Sequence, residues 1–299
     1  MAEYISVKQA AEKWGVSERS VRNYCAQGRV PSAIVTGKTW NIPAGAEKPR
    51  RKPSGRTKPR GLLQVLRDEK APNMPGGIYH RLQIDLTYNS NHIEGSRLTH
   101  DQTRLIFETR TVGAGEGAIN VDDVIETVNH FRCIDYVIDT ARQRLTQAYV
   151  KRLHRILKNG TRDASLDWFA IGDYKRLPNE VGGAMTAEPE KVEGEMAALL
   201  GWYDDLASVD LDAILEFHWR FERIHPFQDG NGRVGRLIML KESLKYGVVP
   251  FIISDDLKAF YYRGLAEYPR ELGFLTGTAL TAQDRFKILL DRFRIPYDA

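Results

Sequence analysis

Apolar side chains recur at helical spacing along most of the chain. Near the start, Val7, Ala10, Ala11 and Trp14 give one apolar face, and Ser6-Val7-Lys8-Gln9 has the form of a capping box. Gly15 ends this helix. Ser17 caps a second over Glu18–Ala26, with Val21 and Cys25 inward and Gly28 after it. Two short helices joined by Gly-Val-Ser predict a helix-turn-helix. Residues 34–40 then predict a short hairpin or wing. Further on, Thr99-His100-Asp101-Gln102 is another capping box, followed by Leu105 and Ile106. Helical stripes follow at Val121, Val124, Ile125, Val128, Phe131, Ile134; at Leu145, Tyr149, Leu153, Ile156, Leu157; at Ala197, Leu200, Trp202, Tyr203, Leu206; and at Ile214, Phe217, His218, Phe221. Residues 233–246 and 286–293 continue the pattern. Strand signals are scarce outside residues 169–184, where Gly172, Pro178, Gly182 and Gly183 break the chain into a candidate hairpin. The predicted fold class is mainly α, a helical bundle with a small β-hairpin, preceded by a small helix-turn-helix domain.

Composition narrows the class. A chain of 299 residues, 42% hydrophobic and 27% charged, is neither disordered nor fibrous. Two cysteines, Cys25 and Cys133, exclude a disulfide scaffold and a cysteine-based zinc site, which fits a reducing, cytoplasmic compartment. The N-terminus lacks the apolar core of a secretory signal, and no stretch approaches the ~20 apolar residues of a membrane span. The overall charge of +4 hides an asymmetry: residues 1–60 carry +9, leaving −5 for the rest. Residues 48–60 hold seven basic side chains, no acid and three prolines, and read either as a solvated tether or as an arm that neutralises phosphates. The expected division is a head at 1–47, a basic linker at 48–60 and a body at 61–299. In the head, Arg19, Arg22 and Asn23 share one helix face, and Lys38 lies in the wing. Such side chains suit phosphates and base edges. The head resembles those of excisionase and MerR-like proteins, implying DNA as a partner; a module for protein contacts is the other reading.

The densest chemistry is His225-Pro-Phe-Gln-Asp229-Gly230-Asn231-Gly232-Arg233-Val-Gly-Arg236. Two glycines flanking Asn231 just before a helix can turn successive N–H groups onto an anion. Arg233 and Arg236, three apart, can reach that anion. Asp229 is a hard oxygen ligand suited to Mg²⁺ shared with substrate phosphates. His225 is a candidate general base near neutral pH. The group reads as phosphoryl- or nucleotidyl-transfer machinery.

This stretch resembles the signature of the Fic family, His-Pro-Phe-x-Asp/Glu-Gly-Asn-Gly-Arg-x-x-Arg, at every fixed position. The resemblance spans roughly residues 80–270. It implies a protein adenylyltransferase that moves AMP from ATP to a Tyr, Thr or Ser hydroxyl of a target protein. His225 would deprotonate the hydroxyl, and Asp229 would hold Mg²⁺, with Mn²⁺ an alternative. Gly230, Asn231 and Gly232 would cradle phosphates with Arg233 and Arg236. Glu126-Thr-Val-Asn129-His130 resembles a family stretch read here as structural. Gly172 to Gly183 resembles the family's flap, so Val181, Gly182 and Gly183 would cover the nucleotide; Lys175 stands where Arg is usual and Glu180 where an aromatic often stands. Tyr261-Tyr262 resembles an element near the adenine, with buried packing an equal reading. Ser90-x-x-x-Glu94-Gly95 fits the family's inhibitory pattern on a helix around 78–95, implying a Glu94–Arg236 pair that takes the arginine from the γ-phosphate. Removal of AMP by the same site is the first alternative, and a nucleotide-sensing, DNA-binding transcriptional regulator is the second. Phosphoryl transfer of the Doc type departs from the Gly-Asn-Gly-Arg-x-x-Arg pattern kept here. Homodimerisation is left open.

Overall fold

The computed structural model describes residues 3–36, 39–49, 61–113 and 117–297. The chain divides into two compact units, residues 1–58 and 59–299.

In the first unit, β1 (Tyr4–Ser6) leads into α1 (Val7–Trp14), α2 (Glu18–Ala26), β2 (Ile34–Thr36) and β3 (Thr39–Pro43). Ser6 caps α1, with its N–H on Gln9 Oε1 at 2.9 Å and its Oγ accepting from Gln9 N–H at 3.3 Å. Gly15 closes α1 in the left-handed region, φ 63°, which costs glycine least. Val7, Ala10, Ala11, Trp14, Val21, Cys25, Val30 and Ile42 form the core. The expected wing is present as β2–β3. A third strand, not expected from the pattern, joins it in the antiparallel order β1-β3-β2, with Ile5 opposite Ile42. Three residues with one apolar neighbour leave too short an alternation to read as a strand.

The second unit runs α3 (Leu62–Lys70), α4 (Ile78–Ile93), α5 (His100–Thr109), α6 (Val121–Thr140), α7 (Gln147–Lys158), β4 (Glu180–Val181), β5 (Ala184–Met185), α8 (Pro189–Asp204), α9 (Leu211–Ile224), α10 (Asn231–Tyr246), α11 (Lys258–Glu267) and α12 (Leu272–Arg292). α10 is buried on every side from Asn231 to Leu244, against α9, α6, α7 and α4. A helix enclosed all round needs no polar face. Ile134, Val137, Leu153, Leu157, Phe217, Phe221, Leu237 and Ile238 supply much of the core around it. The hairpin expected over residues 169–184 is two residues per strand, paired Glu180 to Met185 and Val181 to Ala184. Pro178 and the turns before it keep the remainder irregular. Among the described residues no helix is long and apolar enough to cross a membrane.

Candidate active site

The motif begins where α9 ends. His225 is that helix's C-cap, in the left-handed region at φ 51°, ψ 63°, with its N–H on Phe221 O at 2.9 Å. A non-glycine residue held there is uncommon and collects at functional sites. Asn231 ties the loop: its Oδ1 accepts from Phe227 N–H and its Nδ2 donates to Phe227 O, both at 2.8 Å. The Asn231 side chain therefore braces the loop and is not turned toward an anion. The Phe227 ring stacks on His154 at 3.9 Å, and His154 spans Gly172 N–H at 2.9 Å and Asp229 O at 3.2 Å. Gly230, φ 83°, opens α10 without a side-chain cap, and the first intrahelical bond is Val234 N–H to Gly230 O at 3.0 Å. The N–H groups of the first turn thus lack helical acceptors, the kind of helix start that suits an anion.

Two charge clusters flank that start. Asp229 Oδ2 accepts from Lys158 Nζ at 2.7 Å and from Arg233 at 3.0 Å. Glu126 pairs with both, at 2.5 Å to Lys158 and by an ion pair to Arg233. Asp163 adds a third carboxylate 2.7 Å from Lys158. Burial opposes the Asp229 charge, but Arg233 and Lys158 outweigh it and hold the carboxyl well below the usual range. The second cluster fixes Arg236. Its Nη2 donates to Glu94 Oε1 at 2.6 Å and to Ser90 O at 2.9 Å, while Nε donates to Ser90 Oγ at 3.0 Å. Glu94 caps α4, and a Cβ on Gly232 would collide with its carboxylate. A negative side chain therefore rests against the first turn of α10.

His225 is depressed to about 4, by burial first and then by the nearby Lys175 ammonium, so its ring is neutral at pH 7. Lys175 is itself buried and lowered to about 8 by desolvation. Its Nζ donates to Asn179 Oδ1 and Thr186 Oγ1, both at 2.6 Å, and its N–H donates to Pro226 O at 2.9 Å. Asn179 Nδ2 reaches Phe227 O at 3.0 Å. These bonds tie both ends of the β4–β5 hairpin to the loop after His225. Gly182 and Gly183 form its two-residue turn, at φ 56° and 76°, beside an exposed Val181.

Not every expected residue joins the site. Tyr261 is 2% exposed, packed in the core with its hydroxyl 2.6 Å from His218 Nε2, as the packing reading had it. Tyr262 is 45% exposed and donates to Ile93 O at 3.3 Å. Arg19, Arg22 and Asn23 are exposed on α2, and Lys38 lies outside the described residues, as does the basic linker from residue 50. Lys158 was not singled out in the sequence. It follows Leu157 on the α7 stripe, and its partners Glu126 and Asp229 lie 32 and 71 residues away. Among the described residues no three His, Cys, Asp or Glu side chains converge as a metal cage. Asp229, partly exposed and held ionised, is a lone hard ligand of the kind that suits a cation shared with phosphates. Two cavities of about 510 Å³ in this unit lie away from the motif, one beside residues 243–250 and one beside Tyr79 and Phe107.

This helical fold is the Fic-domain fold. Residues 144–242 match the Fic/DOC family. The chain is 29% identical over 187 residues to the protein adenylyltransferase Fic of Drosophila willistoni, a match over 60% of this chain and 35% of that protein. It is 28% identical over 184 residues to the protein of the same name in Nematostella vectensis, covering 60% and 41%. It thus spans well under half the length of these curated relatives. A Fic domain containing signaling protein from Bacteroides thetaiotaomicron superposes with a TM-score of 0.61 at 24% identity, over 77% of this chain and 94% of that one. A Fic family protein from Desulfovibrio desulfuricans gives 0.58 at 24% identity, over 79% and 75%.

Proposed function

We propose that the protein is a protein adenylyltransferase held in check by Glu94, with a DNA-binding head. The observation that carries this reading is the loop from His225 to Arg236, which sets a neutral imidazole beside an uncapped helix start flanked by Arg233 and Arg236. His225 takes the proton of a target hydroxyl; that oxygen attacks the α-phosphorus of ATP, and the bond to pyrophosphate breaks. The N–H groups at the start of α10 and the two guanidiniums receive the phosphate charge. Asp229 would hold Mg²⁺, or Mn²⁺, which supplies further neutralisation of that charge. Lys175 ties the hairpin of Val181, Gly182 and Gly183 to the same loop, where it would cover the nucleotide. Tyr262, the exposed member of its pair, would be the one to meet the adenine.

Glu94 works as a brake by occupying Arg236 and the cradle at Gly232, so a bound triphosphate would lie out of line for attack. For the head, support comes from exposed Arg19, Arg22 and Asn23 on the second helix of a helix-turn-helix. Arg22 also pairs with Glu18 at 3.4 Å, an exposed contact too weak to withhold it from a phosphate.

The test is to incubate the Glu94→Gly variant with ATP, Mg²⁺ and a bacterial lysate and to map modified residues by mass. AMP on Tyr, Thr or Ser supports the reading. Phosphate in its place, or loss of AMP from modified protein, assigns the site to the kinase or the reverse reaction.

A further inference from the structure

His218 and Glu222 lie one turn apart on α9, and His225 is the C-cap that follows them. Their polar atoms form a broken line toward the base. The Tyr261 hydroxyl is 2.6 Å from His218 Nε2. Glu222 Oε1 is 4.0 Å from that nitrogen, and Glu222 Oε2 is 3.9 Å from His225 Nδ1. His218 Nδ1, Glu222 Oε1 and His225 Nδ1 are each buried without a well-aligned hydrogen bond, although the main-chain carbonyl of Glu222 also acts on the His225 ring. Gly235 on α10 makes room for them: a Cβ there would lie 2.7 Å from the His218 ring and 2.8 Å from Glu222 Oε1. An unpaired buried polar atom costs about 1–3 kcal/mol, so three beside one base call for a function.

We propose that Glu222 is the positioning residue of His225, engaging Nδ1 and deciding which ring nitrogen carries the proton. This rests on the reading of His225 as the general base. A shift of about 1 Å closes the gap to hydrogen-bond range. An ionised Glu222 accepts from Nδ1–H and leaves the Nε2 lone pair free for the acceptor hydroxyl. A protonated Glu222 donates to Nδ1, places the ring proton on Nε2 and blocks the base.

The groups facing Glu222 tie this switch to the brake. Glu94 approaches from the end of α4, Arg236 from α10 and Tyr261 from α11, with His218 and His225 on its own helix. Lys175, Glu94, Asp229 and the Glu222 main chain act on the imidazole. Burial first, and then the Glu94 charge, push Glu222 up to about 8 against the pull of Arg236. Withdrawing Glu94 removes that second push and so moves Glu222 toward its ionised form. Glu94 then governs the base as well as the phosphate-binding arginine.

The test uses the full chain with ¹⁵N-labelled histidine. In Glu94→Gly, His225 is expected as the Nδ1–H tautomer; adding Glu222→Met, which cannot hydrogen-bond Nδ1, moves the proton to Nε2. AMP transfer then loses about 10- to 100-fold in kcat while KM for ATP stays within about twofold. Glu222→Gln, whose amide oxygen still accepts from Nδ1–H, recovers part of kcat. An unchanged tautomer in a cooperatively melting Glu222→Met protein, or in Glu222→Leu should the first variant not fold, overturns the proposal, as does loss of the Nδ1–H tautomer in Glu222→Gln. A Glu222-dependent tautomer without AMP transfer from any variant supports the positioning role and overturns the reading of His225 as the transferase base.

Discussion

Arg236 Nη2 lies 2.6 Å from Glu94 Oε1, although 142 residues separate them in the chain. Ser90, one turn earlier on α4, accepts from the same guanidinium twice. Burial alone would weaken the arginine's charge, yet Glu94 more than offsets it and holds the guanidinium above its ordinary value. Hydrogen bonds to charged groups contribute about 1.5–3 kcal/mol, so Glu94→Gly is expected to raise AMP transfer about 10- to 100-fold. Ser90→Ala, which keeps Glu94, raises it by about 3- to 10-fold. Incorporation of labelled AMP measures both, and equal rates in wild type and Glu94→Gly remove the brake.

Lys158 is 3% exposed among Glu126, Asp163 and Asp229. Burial disfavours its charge, but Asp229 and Glu126 outweigh that and keep it protonated. Lys158→Met leaves Glu126 and Asp229 short of a counter-charge. Stability is expected to fall by about 3 kcal/mol, less than for a wholly buried cluster because Asp229 is half exposed. Thermal unfolding checks this, and an unchanged Tm would show the cluster to be merely a surface network.

Acid should act on stability before it charges the His225 ring. His130, His154 and His218 are buried and lowered to about 3, and His225 to about 4, each chiefly by desolvation. The unfolded chain takes up these protons near the ordinary value of about 6.5. As pH falls from about 6.5 toward 3, the unfolded state therefore binds more protons and stability declines. Tm is expected to drop by several degrees between pH 7 and pH 5, while AMP transfer by the folded protein keeps a neutral His225 until about pH 4. A flat Tm over that range contradicts the burial of these rings.

The head should bind duplex DNA with an affinity that falls steeply as salt rises. Replacing Arg19 and Arg22 together by Ala is expected to lower the slope of log K against log salt by about 2. Fluorescence anisotropy at several salt concentrations measures it, and absence of binding at low salt removes DNA as a partner.

Local signals were the readable ones. Ser6 with Gln9, Gly15, Ser17 and the Thr99–Gln102 box announced helix ends that the structure keeps. The 225–236 motif was legible because its residues are consecutive. What depended on distant partners was hidden. The motif marked Asn231 for its N–H at a helix start, but not for a side chain that braces Phe227. Tyr261 next to Tyr262 gave no sign that one is core and the other surface. α11 was not expected, since Phe260, Tyr261 and Tyr262 in a row carry no helical period. Lys158 showed only as a lysine on an apolar stripe.

In the proposed reaction His225 acts at the innermost phosphorus of ATP. The most direct measurement follows Glu94→Gly and Glu94→Gly/His225→Ala with ATP labelled at either the α- or the γ-phosphorus. The α label is expected to enter protein with Glu94→Gly and to fall by about 10²- to 10⁴-fold when His225 is removed, while nucleotide binding persists. Protein labelled from the γ position, or α-label transfer that survives the loss of His225, would contradict it.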